Sequence, residues 1–286
     1  MEVKALACQL PKDLGLPLSH LTYNEIASTA IERGIAASIS GATVWRWLTT
    51  DAIKPWQYRS WIWPRDPRFA EKAGRVLDLY HGVWEGRPLG PKDYVISTDE
   101  KTSIQARKRV APTTAPGPGR PGRVEHEYER RGALAYAAAW DVRRAKVFGR
   151  CEPRTGIEPF HRLVDLVMTR EPYRSARRVF WIADNGSSHR AQTSIDRLSG
   201  WYPNALLVHT PVHASWLNQV EIYFSVLQRK LLTPNDFTDL HELEDRILAF
   251  QAHYEIIAEP FEWKFTRADL LRLLTRLDAK DRTHAA

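Results

Sequence analysis

The run Val179-Phe180-Trp181-Ile182-Ala183 is apolar at every position and ends on Asp184. A strand with one face in water alternates apolar and polar side chains, so an unbroken run needs cover on both faces. Such a strand belongs inside a sheet held between layers of helices. Tyr94-Val95-Ile96-Ser97-Thr98, which ends on Asp99, has a related form. Candidate strands lie at 93–99, 133–141, 144–149, 178–184 and 205–209. Helical patterns fall near 157–170 and 188–199, then at 215–230, 239–257 and 266–277. Three strands in series, followed by strands alternating with helices, describe an α/β fold with a mixed sheet flanked by helices.

Before residue 90 the pattern is helical. Thr22-Tyr23-Asn24-Glu25 reads as a capping box, with Ile26, Ala30 and Ile31 at helical spacing behind it and Gly34 placed to end the helix. A second helix is expected from Ser40, turning Val44, Trp47 and Leu48 inward and Thr43, Trp45 and Arg46 outward. Two short helices with a tight connection form a helix-turn-helix, whose second helix enters a DNA groove. An ordinary helical hairpin would carry the same residues. Between 54 and 69, Trp56, Tyr58, Trp61, Trp63 and Phe69 interleave with Lys54, Arg59, Arg65 and Arg68, and three prolines exclude a regular helix. The strip suits either phosphate contact, through Lys54 and Arg59 above all, or a linker whose rings pack on the next domain. The expected division is an all-α helix-turn-helix domain at 1–50, a basic, aromatic linker and helix at 51–90, and the α/β domain at 91–286.

The formal charge of +7 favours a polyanionic partner. Much of it sits in 101–131, with eight Lys/Arg against three Glu. Lys101, Arg107, Lys108 and Arg109 follow directly on Asp99, which suits phosphate binding. Cys8 and Cys151 stand alone, so neither a cysteine-built zinc site nor a disulfide framework is expected. No apolar run approaches the roughly 18 residues of a membrane span. The first residues lack a secretory layout. The expectation is a cytoplasmic protein without membrane contact, associated with the nucleoid if DNA is its partner.

Asp99, Asp184 and Glu221 are the residues that point to chemistry. They are separated by 85 and 37 positions; two close strands and the third lies in a helical stretch. Cutting a phosphodiester needs an activated nucleophile beside a crowded anion, and two divalent ions about 4 Å apart serve both ends of the reaction. Magnesium takes hard oxygen ligands and keeps several waters, so a few carboxylates suffice. Val220, Phe224, Leu227 and Leu231 mark the buried side of the helix and leave Glu221 at its rim. Asn218, three residues earlier, is expected on the same side, to orient the carboxylate or a water. An aspartate after a strand also serves as a turn residue, and a lone helical glutamate is usually solvated. Three such acids in matching settings favour a DNA-processing enzyme.

Three segments carry a family resemblance. Asp99-Glu100-Lys101-Thr102, Asp184-Asn185-Gly186-Ser187-Ser188-His189 and Pro211-Val212-His213-Ala214-Ser215-Trp216-Leu217-Asn218-Gln219-Val220-Glu221 resemble the motif blocks of DDE transposases, in the bacterial insertion-sequence branch of the mariner superfamily. The resemblance spans nearly the whole chain. It implies a ribonuclease-H-like catalytic domain and a catalytic and metal-binding triad of Asp99, Asp184 and Glu221. It implies two Mg²⁺ ions, with Mn²⁺ as a substitute. Around the triad, Asn185, His189 and Asn218 are expected as supporting residues. The implied partners are double-stranded DNA, as terminal inverted repeats and as a target joined at TA, and a second copy of the chain, since two ends must be paired. Members of the family usually carry two helix-turn-helix units, and this chain begins at what resembles the second. The competing expectations are a nuclease or resolvase on the same fold that does not join strands, and a catalytically silent DNA-binding regulator.

Overall fold

The computed structural model describes residues 2–57, 64–184 and 191–284. Two compact units make up the chain, Met1–Trp63 and Pro64–Ala286.

The first unit packs three short helices, α1 (Glu2–Ala7), α2 (Tyr23–Glu32) and α3 (Gly41–Thr50). The capping box forms: the Glu25 amide donates to Thr22 Oγ1 at 3.3 Å and the Thr22 amide donates to Glu25 Oε2 at 2.7 Å. Ser40 caps α3 through the Thr43 amide, at 3.2 Å. Leu21, Ile26, Ala30, Val44 and Leu48 fill the core. Ile31 and Trp47, expected inside, are exposed instead. Both flank a fully buried neighbour, Ala30 or Leu48. A core built on two ten-residue helices has room for only one narrow stripe of each. Trp56 packs against this core and meets Tyr23 edge-on at 6.2 Å. Tyr58, Arg59, Trp61 and Trp63 lie outside the described residues.

The second unit opens with α4 (Phe69–Tyr80) and a small ribbon, β1 (Val83–Trp84) with β2 (Arg87–Pro88). The main sheet follows: β3 (Asp93–Arg109), β4 (Tyr128–Asp141), β5 (Lys146–Glu152), then α5 (Ile157–Met168), β6 (Arg178–Ala183), α6 (Ala191–Trp201) and β7 (Ala205–His209). A 3-10 turn, Ser215–Leu217, leads into α7 (Val220–Lys230), and α8 (Leu240–Ile257) and α9 (Arg267–His284) close the chain. Strand order is β5-β4-β3-β6-β7. The first three strands pair antiparallel, and β6 and β7 add parallel to β3. This is the ribonuclease-H-like mixed sheet flanked by helices.

Both faces of the sheet are covered, as the apolar run of β6 requires. Phe180 and Ile182 face a core shared with α4, α7 and α8; Val179, Trp181 and Ala183 face another shared with α5 and α6. The strands β3 and β4 are much longer than their apolar centres. Beyond Lys101 they leave the sheet as a two-stranded arm, past a bulge where Ser103 takes φ 56°. Lys101, Arg107, Lys108 and Arg109 thus lie on a strand rather than in a loop. Much of the arm faces water, so no apolar period marked it in the sequence. No helix among the described residues is long and apolar enough to cross a membrane.

A buried ion pair fastens β3 to β6 at their starts. Arg178 grips Asp93 with Nε at 3.1 Å and Nη2 at 2.8 Å, and the Gly90 amide adds a third donor at 2.9 Å. Arg178 holds the Asp93 carboxyl below the ordinary carboxylate range against the opposing effect of burial. A lowered folded pKa means stability that is complete above about pH 4 and is lost as pH falls through the lowered value. Asp93→Asn should therefore melt well below the wild type at pH 7, with the gap closing on acidification to pH 2.5. A gap that stayed constant with pH would show that the charge of Asp93 contributes nothing.

Candidate active site

Parallel strands β3 and β6 point their carboxyl ends the same way, the side on which open α/β sheets bind ligands. Asp99 sits within β3, level with the carboxyl end of β6 and in register with Ala138 of β4, and Asp184 follows the last residue of β6. Glu221 is the second residue of α7, where the helix dipole favours a negative charge. The three carboxylates sense one another. Burial, and then the charges of Asp184 and Glu221, push the Asp99 carboxyl up to about 7, against the Glu100 amide that lowers it. Burial raises Glu221 as well, opposed by the charge of Lys101 and by a hydrogen bond with Asp99.

A hydrogen-bonded bridge sets the spacing between β3 and α7. Asn218 is buried in extended backbone, φ −87° and ψ 109°, between the 3-10 turn and the helix. This differs from the single helix expected at 215–230, in which Asn218 would share a helical face with Glu221. Its amide nitrogen donates to the Thr98 carbonyl at 2.9 Å and to Asp99 Oδ2 at 3.2 Å. Its amide oxygen accepts from the Ser97 hydroxyl, whose oxygen accepts in turn from the Val220 amide at 2.9 Å. The break in the helix lets one side chain satisfy three strand groups. From α4, the Tyr80 hydroxyl donates to the Leu217 carbonyl at 2.7 Å and accepts from the Gln219 amide at 3.2 Å. Ser97 and Tyr80 were not singled out from the sequence. A buried serine within the apolar centre of β3 was the available signal.

The other expected residues divide. Lys101 lies close enough to Glu221 for its charge to act there. It also lines a cleft of about 420 Å³ with Arg107, Arg109, Gln228 and Asn235. Arg109 is committed to the protein: its Nε donates to the Asn235 carbonyl at 2.9 Å and Nη1 to the Glu125 carbonyl at 2.7 Å. Both Arg107 and Arg109 lie over the Tyr128 ring, at 4.7 and 5.2 Å. These arginines brace the arm, whereas Lys108 stands exposed on it. On the first unit Trp45, Arg46 and Lys54 are exposed, and Arg46 bonds the Thr43 hydroxyl at 3.2 Å. Asn185 and His189 lie outside the described residues.

Among the described residues, no group of three or more His, Cys, Asp and Glu side chains is drawn together closely enough to hold a metal ion. Magnesium asks for less, one or two carboxylates completed by water and substrate phosphate. The donor set here is all hard oxygen, and the repulsion that adds to burial in raising Asp99 is what a bound cation would relieve. The residues fit a divalent cation.

A family model described as DDE superfamily endonuclease matches residues 94–244. No curated protein matches the chain significantly. Among solved structures, the Mos1 mariner paired end complex with Mn is 15% identical at a TM-score of 0.54, covering 88% of this chain and 70% of its own. The Mos1 transposase paired-end complex with left transposon end is 16% identical at 0.53, with the same coverage. A pre-cleavage Mos1 transpososome is 15% identical at 0.54, again covering 88% and 70%. At these identities the likeness is one of fold.

Proposed function

This chain belongs to the DDE superfamily endonucleases, and we propose that it is a DNA transposase, cutting DNA at element ends and joining the freed 3′-hydroxyl to a target. The observation that carries the reading is the gathering of Asp99, Asp184 and Glu221 at one end of the sheet, with Asp99 raised by burial and by the other two charges. Divalent cations held there, Mg²⁺ or Mn²⁺, would supply charge neutralisation at the attacking and leaving oxygens of the phosphodiester.

The protein's part is placement. Asp99 lies on β3 and Asp184 directly follows β6, neighbouring strands whose ladder fixes their separation, and Glu221 is brought up by α7. Asn218 holds Asp99 in one orientation through its amide. Lys101 offsets negative charge at Glu221 and would meet a DNA phosphate brought up to the acids. The first unit would grip element ends through α3, with Thr43, Trp45 and Arg46 toward the groove and Lys54 on the backbone. A pair of protomers would hold two ends together.

Purified protein should nick supercoiled plasmid in Mg²⁺ and not in EDTA. With a pre-nicked element end whose 3′-hydroxyl is exposed, it should form branched or inserted products. Nicking without joined products would reduce the reading to a nuclease. Sequence-specific DNA binding without nicking in any divalent metal would reduce it to a binding protein.

A further inference from the structure

The opposite end of the sheet gathers a second concentration of positive charge. Residues 142–146, from the end of β4 to the first residue of β5, and 169–178, from the end of α5 to the first residue of β6, carry seven Lys/Arg and a single Glu. The antiparallel turn and the parallel crossover bring these two connections to the same edge, where β3 and β6 begin and β4 ends. Asp93 opens β3 there, six residues before Asp99, so the edge lies roughly 20 Å from the carboxylates.

The two connections are fastened to each other. Asp141 is fully buried at the end of β4, and one of its oxygens accepts from the Arg143 and Arg144 amides, both at 3.0 Å. Its other oxygen accepts from the Tyr173 hydroxyl of the second connection, at 2.7 Å. Tyr173 packs on Tyr94 and Phe148, at 5.3 and 5.5 Å. Over this aromatic platform lie two guanidinium groups, Arg144 above Tyr173 at 5.8 Å and Arg170 above Phe148 at 6.0 Å. Arg143, Arg174 and Arg177 are exposed around them. Arg178 is committed to Asp93, Arg177 reaches the same carboxylate only at 4.0 Å, and Arg174 pairs with the exposed Glu171. A guanidinium offers a rigid fork of donors that matches a phosphate.

Resting on the reading that the chain acts on DNA, we propose that this arginine surface binds the phosphate backbone of a duplex segment other than the one at the carboxylates. Its chemistry selects the partner. Within the two connections five arginines outweigh one exposed glutamate. None of the exposed large hydrophobic side chains among the described residues lies in either connection. A protein partner would lack the buried apolar anchor that such interfaces use, whereas a polyphosphate needs none. The surface reads no bases; it would hold flanking or target DNA without regard to sequence, and a duplex seated at the carboxylates reaches it only as a long or bent molecule.

The test is salt-dependent binding of full-length protein to a generic duplex without divalent metal, for the wild type and for Arg143→Ala/Arg174→Ala/Arg177→Ala. Loss of three phosphate contacts should lower the slope of log K against log salt by about 2.7 and weaken binding at 0.1 M salt by well over tenfold. Arg143→Lys/Arg174→Lys/Arg177→Lys should keep most of the slope, and both variants should melt like the wild type. Nicking of a short oligonucleotide in Mg²⁺ should be unchanged in the alanine variant. An alanine variant that melts normally and keeps the wild-type slope overturns the surface and leaves the transposase reading standing. Wild-type protein that binds no duplex and nicks none overturns both.

Discussion

Replacing Asp184 with asparagine should lower Mg²⁺-dependent nicking by about a thousandfold or more, since metal-held charge at the reacting phosphate is worth several kcal/mol. The change keeps the shape of the side chain and the end of β6 while removing one of the charges that raises Asp99. DNA binding in EDTA should survive, because the arm, the first unit and the arginine surface are untouched. The variant also separates metal binding from folding. Mg²⁺ should raise the melting temperature of the wild type by relieving repulsion among the three acids. In Asp184→Asn the cation has less repulsion to relieve and one ligand fewer, so most of that shift should vanish. Full nicking in the variant would remove Asp184 from the site. A lost reaction with an unchanged metal-induced shift would place the cation elsewhere.

What could be read from the sequence follows the strength of the local physical signal. The five-residue apolar run of β6 admits one kind of environment, and it lies under helices on both faces. The capping box at Thr22 and Glu25 is a local device, and it forms. Signals weakened where structure is exposed or assembled from distant parts. The outer halves of β3 and β4 pair only with each other, carry polar side chains on much of their surface and resemble a charged loop. Ile31 and Trp47 fit a helical period but fall at the rim of a narrow core. The arginine surface joins residues 142–146 to residues 169–178, so no window of sequence contains it. The carboxylates were legible because Asp99 and Asp184 each close an apolar run and Glu221 lies near the start of an apolar helical face. Their partners were less so, since Ser97 and Tyr80 gain meaning only once β3, α4 and the start of α7 meet.

Asn218 shows why that meeting matters, and Asn218→Ala should produce the other large effect. Helical periodicity places Asn218 one turn before Glu221, yet its backbone is extended and α7 begins after it. Deleting the amide leaves the buried Ser97 hydroxyl and Thr98 carbonyl each short of a partner and frees Asp99 from one donor. Unpaired buried groups of this kind cost about 1–3 kcal/mol. The functional loss should be larger than the stability loss implies. A carboxylate displaced by about 1 Å costs on the order of a hundredfold in rate, and Asn218 sets the position of Asp99 directly and of Glu221 through Ser97 and the Val220 amide. Two readouts separate positioning from general weakening. If Asn218 positions the acids, the Mg²⁺ concentration for half-maximal nicking should rise in Asn218→Ala, even well below its melting temperature. Ser97→Ala, which keeps the Asn218 contact to Asp99, should show the same change to a smaller degree. A variant that melts earlier but nicks at the wild-type rate with the wild-type Mg²⁺ requirement would make the bridge a purely structural tie between β3 and α7.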